Sequence, residues 1–256
     1  MYYYIFEQPK SNAARNLQEK IKETLVDYGI LGELNTASPA RPLEELTRVG
    51  LEKESSTIVA VGSDYHISQV ASAIKSFFLK NYRKEVALGA VPTDENSNLA
   101  ERLGFESWKT ACEALKYRRL QEYDLGYLEP AGIHFLTSAE IHSQTPVSVA
   151  LQVDRWETTT WITDLIVFND LTLTFHNRES ARGLGQKIVD WLFARPIPVN
   201  QISIFKTKII EIRCSEPLPI TIEGVPVAKT PVSFYRRPKA LKIIVKRDKL
   251  SAEESE

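Results

Sequence analysis

Thr57-Ile58-Val59-Ala60-Val61-Gly62-Ser63-Asp64-Tyr65-His66 is the stretch whose reading decides the fold. Its first half is an unbroken apolar run rich in β-branched residues, the pattern of a strand buried on both faces. Gly62-Ser63-Asp64 then supplies turn chemistry. Beyond it Ile67, Val70, Ala71, Ile74, Phe77 and Phe78 recur at helical spacing, so the segment reads strand, turn, helix.

The same alternation continues on both sides. Upstream, Tyr2 to Phe6 reads as a strand. Ser11 can cap a helix with Leu17, Ile21 and Leu25 on one face, ending near Gly29, and a short strand from Gly32 to Thr36 precedes a helix over Pro39 to Glu52. Downstream, Val86 to Ala90 is a strand, the polar run Pro92 to Asn98 a loop, and Leu99 to Leu103 and Ser107 to Tyr117 are short helices. The pattern predicts an N-terminal α/β layered domain with a mostly parallel sheet over residues 1–118.

From residue 119 the apolar period changes to two, with runs at Val147 to Val153, Trp161 to Phe168, Leu171 to Phe175, Lys208 to Arg213 and Ala240 to Val245. A C-terminal β-sandwich-like domain over 119–256 is the expectation. One helix, Ser180 to Phe193, interrupts it with Leu184, Ile188 and Leu192 on one face, and Lys249 to Glu256 reads as a polar, frayed end.

Composition narrows the function classes. A formal net charge of -1 gives no reason to expect nucleic acid as a partner. The longest apolar runs are strand-sized, far below the ~18 residues of a membrane span. Met1 to Phe6 lacks the basic flank of a signal peptide, so a cytoplasmic chain is the expectation. Cys112, Cys214, His66, His134, His142 and His176 are scattered without ligand spacing, and no transition metal is expected.

In such a sheet, ligands bind at the carboxyl ends of the strands. Gly62, Ser63 and Asp64 at a strand-to-helix turn could offer backbone N–H groups to a phosphate and a carboxylate to Mg²⁺. The residues alone equally allow an ordinary turn with Asp64 as a helix N-cap.

Gly62-Ser63-Asp64-Tyr65-His66, followed by Val70 and Ile74, resembles the Gly-Gly-Asp-Gly-Thr segment of the diacylglycerol-kinase and sphingosine-kinase family of lipid kinases. Other matches follow in the family's order. Gln8-Pro9-Lys10-Ser11-Asn12 is similar to its Asn-Pro-x-Ser-Gly. Pro92, Ala100, Leu103 and Gly104 fit its fourth-strand loop, Asp124-Leu125-Gly126 its Asp-Leu-Gly strand, and Ile222-Glu223-Gly224-Val225 its Ile-Asp-Gly-Glu. The resemblance implies ATP and Mg²⁺ as cofactors, a lipid as substrate or ligand, and peripheral contact with a membrane. It also implies site residues: Thr36, Gly62, Ser63 and Asp64 toward the nucleotide, Asp64 and Asp124 toward metal, and Asp64 with Glu223 toward catalysis.

The glycines of that pattern are replaced. Ser63, Tyr65 and Asn12 stand at three of them, and Tyr65 would intrude where phosphates pass. Asp94-Glu95 stands where the family has Gly-Thr, and each like-charge contact at ~4 Å costs about 4 kcal/mol at intermediate dielectric. The family's proton-accepting Glu is matched by Val225, which cannot take a proton, leaving Glu223 as a displaced substitute. Two functions therefore stand open: an ATP-dependent kinase for a lipid hydroxyl, and a non-catalytic relative that binds a partner protein, a lipid or another small ligand.

Overall fold

The computed structural model describes residues 1–78, 85–177 and 201–246. The helix expected over Ser180 to Phe193 and the tail Lys249 to Glu256 lie outside the described residues. The chain divides into two compact units. Among the described residues the first comprises 1–78, 85–125, 134–136 and 238–246, and the second 126–133, 137–177 and 201–237. The sequence places one cut between residues 118 and 119. The chain instead crosses between the units several times, because the long strands β5 (Leu120–Glu129) and β14 (Val232–Ile244) each run from one into the other.

In the first unit the strands β1 (Tyr2–Phe6), β2 (Gly32–Thr36), β3 (Thr57–Gly62) and β4 (Ala87–Pro92) alternate with α1 (Asn12–Asp27), α2 (Leu43–Glu52) and α3 (Asp64–Phe78). The short helices α4 (Asn98–Leu103) and α5 (Trp108–Tyr117) follow β4. The strand order is β2-β1-β3-β4-β14, and all four pairings are parallel. Every residue of β3 and β4 is buried, which explains why both read as continuous apolar runs instead of alternating ones.

Alternation along β1 positions the helices on both faces. The Tyr3 ring lies so close to Gly50 of α2 that a Cβ there would meet it at 2.7 Å. The opposite-facing Tyr2 and Tyr4 donate their hydroxyls to the carbonyls of Leu115 and Ile30 at 2.7 Å each. Ser11 caps α1 and Ser107 caps α5, the latter in a reciprocal capping box with Thr110. The α2 helix starts at Leu43, not near Pro39. Ser38 and Arg41 bridge each other across a turn, and Pro42 holds an extended ψ of 153° at the cap.

The second unit is antiparallel. β7 (Ser138–Val153) pairs with β8 (Trp156–Phe168), β8 with β9 (Thr172–Asn177), and β9 with β10 (Gln201–Lys206). On its other side β7 pairs with β11 (Ile209–Cys214), which pairs with β14. The hairpin of β12 (Pro219–Ile222) and β13 (Val225–Lys229) also pairs with β7, and β6 (Ile133–Phe135) pairs with β5. No helix among the described residues is long and apolar enough to cross a membrane.

Candidate functional site

The carboxyl ends of β1, β3 and β4 come together in the first unit. Glu7 N–H donates to the Val61 carbonyl at 2.8 Å, and Thr93 N–H to the Gly62 carbonyl at 3.0 Å. Glu7, Gly62-Ser63 and Thr93-Asp94 are thereby neighbours at the N-terminus of α3.

Two grooves open there and share Leu17, Thr93 and Asp94. One, of about 310 Å³, is lined by Glu7, Lys10, Gln18 and Ser63 among others. The second, of about 750 Å³, includes Glu95, Asn96, Phe105 and Trp108.

Glu7 dominates the first groove. Its Oε2 accepts the Ser63 backbone N–H at 2.7 Å, and its Oε1 lies 3.3 Å from Lys10 Nζ. Its main-chain carbonyl accepts Gln18 Nε2–H at 2.6 Å, so the residue is held from both ends. Burial alone would raise the Glu7 pKa, but the Ser63 N–H and hydroxyl, with His66 and Lys10, outweigh it and hold the carboxyl below its ordinary value. Gly62 is required beside it, since a Cβ at that position would sit 2.7 Å from both Cβ and Oε2 of Glu7. No sequence motif marks Glu7. The one available signal is its place, the first residue past a strand end in a sheet that binds ligands at such ends.

Asp64 is held by contacts to the start of α4. It is the first residue of α3, while Ser63 does the capping: its Oγ accepts His66 N–H at 3.3 Å. The Asp64 side chain, 5% exposed, reaches the start of α4. There Oδ1 accepts the Ser97 hydroxyl at 2.5 Å and Oδ2 accepts Leu99 N–H at 3.0 Å. Both oxygens are committed to holding α4 against α3.

Asp94 lines both grooves, and its pKa is raised, first by burial and then by the charge of Asp64, against a hydrogen bond from the Asp64 backbone N–H. His66 is buried, and its Nε2–H donates to the Ile5 carbonyl at 3.1 Å. Burial lowers its pKa, against the Ile5 carbonyl and the Glu7 charge, which raise it.

None of the remaining expected residues lines either groove. Thr36 is exposed at the end of the outer strand β2 and lines neither groove. Asp124 lies on β5, where Oδ1 accepts the backbone N–H of Lys239 at 2.8 Å and steadies a residue at φ 47°. Glu223 belongs to the second unit, in the tight β12–β13 turn with Gly224, at φ 49° and 74°. Tyr65 does not enter the grooves. Its pKa is raised, first by burial and then by the charge of Glu44 in the first turn of α2. Among the described residues no group of three acidic, His or Cys side chains could hold a metal ion.

No protein-family model matches the chain, and no curated protein matches it. Solved structures do. A Bacillus anthracis str. Sterne protein assigned as a diacylglycerol kinase superimposes with a TM-score of 0.70 at 14% identity, over 96% of this chain and 97% of that one. A second structure so assigned gives 0.67 over 94% and 96%, and a diacylglycerol kinase of the same organism 0.67 over 96% and 97%, both at 14% identity.

That fold implies ATP and Mg²⁺, and the residues present do not fit them. Against phosphate, the Ser63 N–H at the start of α3 is taken by Glu7, and Asp94 and Glu95 add negative charge beside the grooves. Against the metal, the Asp64 carboxylate is buried and each of its oxygens already accepts a hydrogen bond from the α4 start, and no group of three acidic, His or Cys side chains among the described residues could hold an ion. The chain has the diacylglycerol-kinase fold, a mixed α/β architecture, and its strand-end loops carry the carboxylates of Glu7, Asp64 and Asp94.

Proposed function

We propose that this chain is a non-catalytic relative of the lipid kinases, one that binds a ligand without transferring phosphate. The observation that carries the reading is the commitment of Asp64. A carboxylate that positions a metal and nucleotide needs an oxygen facing the ligand, and here both face α4 from a buried position.

The loss of a proton acceptor at Val225 agrees with it. The grooves around Asp94 combine carboxylates, amides and the aromatic Phe105 and Trp108, a lining suited to a small neutral or cationic ligand without phosphate groups. On this reading ATP and Mg²⁺ are not cofactors, and a lipid would be bound, not phosphorylated.

The test is thermal unfolding of the purified chain with and without millimolar Mg-ATP, followed by incubation with dispersed diacylglycerol and labelled ATP. A ligand bound by the folded state raises the melting temperature by mass action. No shift and no labelled lipid is the expected result. A clear rise, or any labelled phospholipid, overturns the reading.

A further inference from the structure

We propose that Glu7 is a built-in anion that occupies the position a phosphate oxygen would need, and that this side chain excludes phosphates from the first groove. The inference rests on the non-catalytic reading and deepens it, because it names the residue responsible. The loop's missing glycines are the obvious alternative cause, yet Tyr65 and Asn12 line neither groove, and Ser63, which lines the first, has its N–H already held by Glu7.

Three observations converge on Glu7. Its Oε2 holds the Ser63 N–H at 2.7 Å, a donor that an incoming anion would require. It fills the space above Gly62, where even one added carbon would collide with it. Gln18 holds its main-chain carbonyl, and Lys10, the one cation among the described residues lining that groove, lies 3.3 Å from its Oε1. An anionic ligand would have to displace this carboxylate and then share the groove with it and with Asp94. Despite burial, Ser63, with His66 and Lys10, holds the Glu7 carboxyl below its ordinary value.

The experiment is calorimetric titration of inorganic pyrophosphate, and separately of Mg-ATP, into the wild type, Glu7→Ala, Glu7→Gln and Asp94→Asn. Melting curves run in parallel establish that each variant is folded. Glu7→Ala frees both the donor and the space and is expected to bind pyrophosphate roughly tenfold or more tightly than the wild type, the worth of about one hydrogen bond to a charged group. Glu7→Gln removes charge but keeps the occupant, and gains less. Asp94→Asn leaves the Glu7–Ser63 contact in place and gains least.

A wild type that binds pyrophosphate as tightly as Glu7→Ala overturns the proposal. So does a folded pair of Glu7 variants that bind none, or a gain confined to Asp94→Asn. Failure here leaves the non-catalytic reading untouched, since that is decided by Mg-ATP and lipid turnover in the wild type.

Discussion

Asp64→Ala is the substitution that most sharply separates a structural Asp64 from a ligand-binding one. In the structure its two oxygens accept the Ser97 hydroxyl and the Leu99 N–H, both beside the fully buried Leu99 side chain. A hydrogen bond to a charged group contributes about 1.5–3 kcal/mol net, and removing one partner leaves the other's donor buried without an acceptor. Discounting for non-additivity, the loss is about 3–4 kcal/mol. For a chain of this size each kcal/mol moves the midpoint by about 2–4 °C, so a fall of roughly 6–16 °C is expected.

Differential scanning calorimetry of the wild type, Asp64→Ala and Asp64→Asn measures it. The asparagine variant keeps one acceptor and should lose about half as much. If Asp64 were instead held in place for a metal, its removal would relieve repulsion with Asp94, and the melting temperature would stay or rise. Either result refutes the assignment of Asp64 to the α3–α4 junction.

Ser97→Ala removes both the N-cap of α4 and the donor to Asp64, and should cost about 1–2 kcal/mol. Combined with Asp64→Ala in a double-mutant cycle, it should show a coupling of about 0.5 kcal/mol or more, and simple additivity would mean that the two side chains do not interact. Gly62→Ala places a Cβ 2.7 Å from Glu7 and 3.0 Å from His66, and should destabilise by about 1–3 kcal/mol in urea unfolding. Glu7 and Asp94 predict opposite pH dependences. The folded Glu7 pKa lies below its ordinary 4.5, so its contribution is complete above that value and is lost as pH falls through the folded pKa. The stability deficit of Glu7→Gln should therefore be full at neutral pH and vanish in acid. Asp94, with its pKa raised above 3.8, costs stability at neutral pH, a cost relieved as pH falls through that raised value, so Asp94→Asn should be at least as stable as the wild type at neutral pH.

Much of the first unit was legible in the sequence because its signals are local. The β1 and β2 bounds, the Ser11 cap and the α3 stripe follow from apolar period and capping chemistry that a few neighbouring residues carry. In the second unit the runs at Val147 to Val153 and Trp161 to Phe168 were visible. Each is the more apolar part of a longer strand, and the polar remainders Ser138 to Pro146 and Trp156 to Thr160 carry no such mark. The lipid-kinase resemblance was legible in motif order although no motif is intact, and the fold bears it out. The candidate site was legible only in part. Gly62, Ser63 and Asp64 stand at the expected strand end, but the direction of the Asp64 carboxylate depends on Ser97, 33 residues away, and the role of Ser63 N–H depends on Glu7, 56 residues away. What the sequence determined by itself was the alternation of elements and the residues at each strand end, since backbone preference and apolar spacing act within a few residues. Which side chain fills which loop was decided only by the tertiary structure, because hydrogen bonds between distant strand ends exist only once the parallel sheet has brought them together.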